Sequence, residues 1–269
     1  MNGSHRREVA QRYATDPEAY RDLFGPALLQ LTTRLLQELP LSDARRVADV
    51  AAGAGLLLPE IRKRAPHAFI AAFDLTAAML AVAPTGFACA VMDACALAVA
   101  SETFDVAVIT FMLHHLLDPS AALREARRIL RSNGVLGIAT WAQFGSYHAL
   151  DILNEELEDR GARAETTAVT HDLLDTPEKM RTLMMEAGFT GVRTWEEHGF
   201  NIMNPEEFLG RHLRLGVTRR KFESLPAGSQ QQAVAALRSR LSGMPSEAFD
   251  EPMNVVYAIG RVPSAYTAR

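Results

Sequence analysis

The sequence predicts an α/β fold: a doubly wound, mostly parallel sheet, with helices before the first strand and a helical insertion ahead of the last. Three observations carry that prediction. From residue 46 to 141, short apolar runs rich in β-branched residues alternate with helical segments, the order of βαβ units. The first run, within "VADVAAGAG" at residues 47–55, passes through a glycine turn straight into a helical pattern. Between Arg64 and Arg124 no lysine or arginine interrupts the apolar runs, as in the middle of a parallel sheet covered on both faces.

Each element can be justified in chain order. Residues 1–45 read as an N-terminal helical cap, with Asp16-Pro17 as a polar cap followed by proline. "RVADVA" is a strand, and "LLLPEIRKRA" is a helix with its basic residues near the C-terminal end, where they complement the dipole. Pro59 is tolerated only if it falls in the first turn of that helix. "AAFDL" is the second strand, and "LTAAMLAVAPTGFACAVMD" leaves room for one short helix before the third. Asp118-Pro119 and Thr176-Pro177 start two more helices, the latter closed by Gly188. Asn204-Pro205 starts another, with Glu207 placed for a capping box. "GVRTWEEHGF" and "NVVYAIGRV" are strands, and the roughly 50 mostly helical residues between them exceed an ordinary connection. The domain boundaries that follow are 1–45, 46–199 plus 253–263, and a helical insertion at 200–252.

With 269 residues, 48% hydrophobic and 22% charged, the chain can bury a three-layer core and still carry an elaboration. Its net charge of −4 supplies no basic face for phosphate neutralisation, so nucleic-acid binding is not expected. No long uncharged apolar stretch reads as a membrane span, and "MNGSHRREVA" lacks the core of a signal peptide. A cytoplasmic monomer or homodimer is expected. Cys89 and Cys95 have no metal-ligand spacing and read as buried small hydrophobes; no metal is expected.

The glycine turn raises the question of its ligand. Glycine permits φ > 0 and lets a ligand approach the backbone, while the free N–H groups of the next helix point at it. A dinucleotide fingerprint would need glycine where Leu58 stands, and no phosphate loop of the G-x-x-x-x-G-K-[ST] type exists. Between Arg64 and Arg124 lie Asp74, Asp93, Glu102, Asp105 and Asp118 but no lysine or arginine, which suits a ligand with a positive centre, ribose hydroxyls and an adenine amine.

In this context the sequence resembles the class I S-adenosylmethionine-dependent methyltransferases, especially the small-molecule branch that includes quinone-biosynthesis enzymes. The resemblance covers roughly residues 45–141. It rests on "VADVAAGAG" for the cofactor loop, "AAFDLTAAML" for the second strand and its acid, "AVMDACAL" for the acid at the adenine, and "FDVAVITFMLHHLLDP" with "ALREARRILRSNGVLGIAT" for the fourth and fifth strands. It implies a seven-stranded Rossmann-like methyltransferase sheet. It also implies S-adenosylmethionine as cofactor, held by Asp49, Ala51, Gly53, Gly55, Asp74, Leu75, Met79, Asp93, Ala94, Thr110 and Phe111. Asp74 matches the residue that grips the ribose hydroxyls, and Asp93 with Ala94 the pair at the adenine. Ala51 replaces the first glycine of the family loop, for which tighter packing is expected.

A methyl donor already carries the reactive group, so the protein has to position the acceptor and sometimes provide a base. His114 and His115 follow the fourth strand at the crevice, and imidazole titrates in the useful range. In an extended stretch the two point to opposite sides, so one reaches the substrate; His114 is favoured, with His148 in reserve. The acceptor is expected to be a small, largely apolar molecule methylated on oxygen, nitrogen or carbon. Phe200, Met203, Phe208, Leu213, Trp141, Phe144 and Tyr147 form its candidate wall, with Phe208 and Leu213 equally readable as core of the lid, and the N-terminal helices and the insertion are the candidate roof. "RHLRLGVTRRK" reads first as a solvated helix face, with contact to an acidic acceptor as the alternative. Two rival functions use the same fold: cyclisation or decarboxylation exploiting the cofactor's charge, and non-catalytic regulation of a partner.

Overall fold

The computed structural model describes residues 3–143, 145–163 and 170–264. Helix α1 (Gly3–Ala14) leads to α2 (Pro17–Ala19), capped by Asp16, whose carboxylate accepts from the Ala19 amide at 3.0 Å. A π-helical turn at Tyr20–Phe24 continues into α3 (Gly25–Leu36). Then follow β1 (Arg46–Val50), α4 (Leu58–Arg64), β2 (Phe69–Asp74), the short α5 (Ala77–Ala81), β3 (Ala88–Val91), β4 (Phe104–Thr110), α6 (Pro119–Ile129) and β5 (Leu130–Trp141). Beyond these lie α7 (His148–Asp159), α8 (Pro177–Glu186), β6 (Thr190–Glu197), β7 (Phe200–Asn201), α9 (Pro205–His212), α10 (Gly216–Glu223), α11 (Ala227–Leu241), β8 (Glu251–Pro252) and β9 (Val255–Arg261).

Seven strands form one sheet in the order β3-β2-β1-β4-β5-β9-β6. The pairings outward from β1 are parallel, and β9 runs antiparallel to both β5 and β6. The central strands are apolar on both faces because both are covered. On one face Val47, Ala72 and Val108 meet Leu35 and Leu36 of α3 and Leu58 and Ile61 of α4. On the other, Ala48, Ile109 and Ile138 meet Leu123 and Ile129 of α6 and Met180 and Met184 of α8. The strand order reverses between β1 and β4, two parallel neighbours, and at such a switch point the carboxyl ends of the strands open a crevice.

The proline-marked helix starts form as their sequence dictates. Asp118 and Thr176 each accept from the amide three residues on, and Asn204 with Glu207 makes a full capping box. Pro59 sits in the first turn of α4, where its missing N–H has no role.

The insertion has its own core. Phe208, Leu237 and Phe249 pack against Leu153 and Leu157 of α7, so α7 shares the insertion's core although it precedes residue 200. The insertion's two ends are clamped by the β7–β8 ladder, Phe200 opposite Pro252 and Asn201 opposite Glu251. Contrary to expectation Cys89 is exposed, because β3 is an edge strand paired only with β2, and Cys95, beyond that strand, is half-buried. No helix of the described residues is long and apolar enough to cross a membrane.

Candidate active site

The turn after β1 is built from three left-handed residues at alternate positions: Ala51 (φ 61°), Gly53 (φ 55°) and Gly55 (φ 68°). Alanine in that region costs about 1–2 kcal/mol, so the departure from glycine at 51 appears as backbone strain rather than tighter packing. Gly53 lines a cavity of about 90 Å³ at the strand ends. Gly55 does not. Its role is packing: a Cβ there would lie 2.8 Å from Ala83 Cβ and 2.9 Å from Leu58 Cδ1.

Asp74 ends β2 and is nearly buried. One carboxylate oxygen accepts from the Gly53 amide and the other from the Thr76 amide, both at 2.8 Å, and burial raises its pKa. These bonds tie the glycine turn to the second strand and hold the carboxylate at the cavity wall. Leu75, Met79, Ala94, Thr110 and Phe111 share that wall. Asp93 also lines it, accepting from the Cys95 amide at 2.9 Å. Asp49 lies deeper, in register with Ala72 and Val108 of the neighbouring strands. It is 1% exposed, and neither carboxylate oxygen accepts a hydrogen bond among the described residues. Burial, reinforced by the Asp74 carboxylate, pushes its pKa up to about 7. Two acids on the cleft wall, with a third, orphaned, buried behind it, fit a cationic nucleoside and oppose a phosphate.

The sequence offers the N-terminal helices as a roof for the crevice but does not single out the residues of α1 that reach it. Arg6 pairs with Asp93, bringing a cation into a segment that has none of its own. Val9 and Tyr13, one helical turn apart, enter the cavity wall. Their i,i+4 spacing was the available signal. The free space beside α1 is about 90 Å³, and Arg6 engages the Asp93 carboxylate at its edge.

His114 and His115 do not alternate in an extended stretch. Residues Leu113–His115 form a 3-10 turn after β4, and this turn sends the two rings differently. His115 faces the cavity, where its Nε2 lies 2.6 Å from the Tyr13 hydroxyl. Its backbone carbonyl accepts from His5 Nε2 at 2.7 Å. Burial, helped by Arg12, lowers the His115 pKa to about 3, so its ring is neutral near pH 7. His114 is buried away from the cavity, with its ring centroid 6.2 Å from that of His171. His148 is exposed at the start of α7 and lines neither cavity.

A second cavity, of about 740 Å³, adjoins the first and shares Tyr13 and Tyr20 with it. Phe24, Trp141 and Tyr147 supply its aromatic wall; Phe24 and Trp141 stack at 6.0 Å, and the Tyr147 hydroxyl lies 2.7 Å from His212 Nε2. Other candidates for that wall lie elsewhere. Met203 and Phe208 are interior to the insertion, Leu213 packs against that core, and Phe200 is 66% exposed. Phe144 lies outside the described residues. The basic run of the insertion is not a plain solvated face. Arg211 is buried, forks onto Glu251 and sits 4.2 Å from the Phe24 ring centroid, while Arg214 pairs with Asp16 at 2.9 Å. Both, with Arg219 and Arg220, line the second cavity.

Residues 48–138 match the sequence model of a family described as a methyltransferase domain. The ubiquinone/menaquinone biosynthesis C-methyltransferase UbiE of Roseobacter denitrificans is 34% identical over 108 residues, 37% of this chain and 43% of that protein. Its counterpart in Paracoccus denitrificans is 25% identical over 206 residues, 69% of this chain and 82% of the relative. The chain thus spans less than half the length of the first relative and most of the second. Phosphoethanolamine N-methyltransferase 2 of Haemonchus contortus, solved with phosphomonomethylethanolamine and S-adenosylhomocysteine, has the same fold. It aligns with a TM-score of 0.56 at 18% identity, over 96% of this chain and 59% of that one. Strand order, glycine turn and domain match together make residues 48–138 a methyltransferase domain within the fold of the class I S-adenosylmethionine-dependent methyltransferases.

Proposed function

We propose that the protein methylates a small, largely apolar acceptor held in the larger cavity. The observation that carries this reading is the junction: Tyr13 and Tyr20 belong to both cavities, so an acceptor beside them lies next to the cofactor cleft. Asp74 would accept the ribose hydroxyls, Asp93 the adenine amine once Arg6 withdraws, and Asp49 with the turn of Ala51 and Gly53 would face the cationic end. When bound, the cofactor supplies a methyl group activated on a sulfonium. The chain's own part is orientation and exclusion of water.

Tyr13 and His115 sit where the acceptor must be aligned. Because His115 is neutral, its Nε2 can accept the Tyr13 proton, leaving the phenolic oxygen's lone pairs to take a hydrogen bond from the acceptor. We therefore assign the positioning role to His115 with Tyr13, in place of His114. Tyr13→Phe and His115→Ala are expected to lower turnover by about 10² or more while S-adenosylhomocysteine affinity stays within about threefold. Full activity in both variants would remove the pair from the mechanism. Tritium supplied on the cofactor methyl should appear in the product; product formed without it would favour the charge-only cyclisation or decarboxylation reading.

A further inference from the structure

Two helices contribute a matched pair of charges to the larger cavity. On α1, Glu8 and Arg12 form an i,i+4 ion pair at 3.1 Å; on α10, Arg219 and Glu223 do the same at 2.7 Å. In both pairs the arginine side chain is 19% exposed and the glutamate 53%. The guanidinium is therefore the inner member and the carboxylate the outer one, so the interior of the cavity is biased positive although the pairs are formally neutral. Glu251 and Asp16, the other acids in the wall, are each engaged by an arginine, Arg211 and Arg214. Partly exposed pairs of this kind hold weakly, so an incoming anion can take the inner arginine without a large penalty.

We propose that the acceptor is an aromatic acid, a planar ring system bearing a carboxylate, bound with its rings against Tyr20, Phe24, Trp141 and Tyr147 and its carboxylate toward Arg12 and Arg219. This rests on the assignment of the larger cavity as the acceptor site. A guanidinium fork matches a carboxylate bidentately, and the flat aromatic wall matches fused rings. The volume of about 740 Å³ leaves room for more than one ring. A cationic acceptor would meet like charge on both helices. The same positive field reaches the reacting end: after burial, Arg12 is the largest influence holding the His115 pKa down.

The test is calorimetry on the full chain saturated with S-adenosylhomocysteine, titrated with a hydroxynaphthoate, its methyl ester and a naphthylmethylammonium ion. The acid is expected to bind at least about tenfold more tightly than the ester and the ammonium least well, since a charge-assisted contact is worth about a tenfold change. Arg12→Gln and Arg219→Gln should abolish the preference for acid over ester, with cooperative thermal unfolding as the check on folding. Equal affinity for acid and ester, tighter binding of the ammonium, or no binding of the acid at millimolar concentration overturns the proposal. Acid binding that responds to both arginines, with no methylated product from any hydroxylated acid, supports the acid site and sinks the methyl-transfer reading instead.

Discussion

Asp49→Asn should make the protein more stable in alkaline than in acid solution relative to wild type, and the size of that effect follows from the environment of the carboxylate. Asp49 is 1% exposed, has no hydrogen-bond donor among the described residues, and faces the Asp74 charge. Its pKa rises from 3.8 to about 7, for burial first and Asp74 second. A carboxyl with a raised folded-state pKa keeps its proton longer in the native than in the unfolded chain. Between pH 3.8 and about 7 the native state therefore binds more protons, and stability falls as pH rises; above that window both states are ionised and the full cost remains. Three pKa steps at 1.36 kcal/mol each give about 4 kcal/mol, of which about 2–3 kcal/mol accrues between pH 5 and 8.

Asparagine removes the titration. Its amide adds unsatisfied donors of its own, but that cost is the same at every pH and cancels when the two pH values are compared. Urea unfolding of both proteins at pH 5 and pH 8 should show the stability difference shifting toward the variant by about 2–3 kcal/mol. Because Asp74 contributes, the step belongs to the coupled pair. Parallel pH profiles would refute the reasoning and show Asp49 to be solvated or paired. The more stable variant is also expected to bind S-adenosylmethionine less well, since a carboxylate this costly is retained where a cation offsets it.

Further outcomes follow from neighbouring contacts. Asp74→Ala should weaken S-adenosylhomocysteine binding by about ten- to a hundredfold in calorimetry, because it removes a charged acceptor and releases the Gly53 amide; unchanged affinity would place the ribose elsewhere. Glu251→Gln leaves Arg211 buried without its counter-charge and should cost about 3 kcal/mol in urea unfolding. A loss below 1 kcal/mol would mean that the guanidinium reaches water. Arg6→Met frees Asp93 and should raise the association rate of S-adenosylhomocysteine several-fold in stopped-flow fluorescence; an unchanged rate would show that α1 does not control entry.

What the sequence by itself determined is local or periodic. The caps at Asp16, Asp118, Thr176 and Asn204 could be read because a cap is completed within three residues. The strand–turn–helix at 47–64 could be read because left-handed φ and β-branched runs leave a mark on residue choice. Asp74 and Asp93 came from the resemblance of their segments to the methyltransferase family, and both line the cavity. The tertiary structure alone decided the rest. Gly55 is indistinguishable from Gly53 in the chain, yet one meets Ala83 and the other faces the cavity. The favoured His114 lost its place to His115 when a 3-10 turn replaced an extended stretch, a difference of backbone angle that residue identity does not encode. Arg6, Arg12 and Tyr13 reach the crevice from about a hundred residues away, on a helix with no buried residue and so no strong apolar stripe to announce its docking. The inward arginines of α10 read as surface charge because i,i+4 spacing reports only that two side chains are neighbours, whereas which of them faces a cavity depends on what packs across from it.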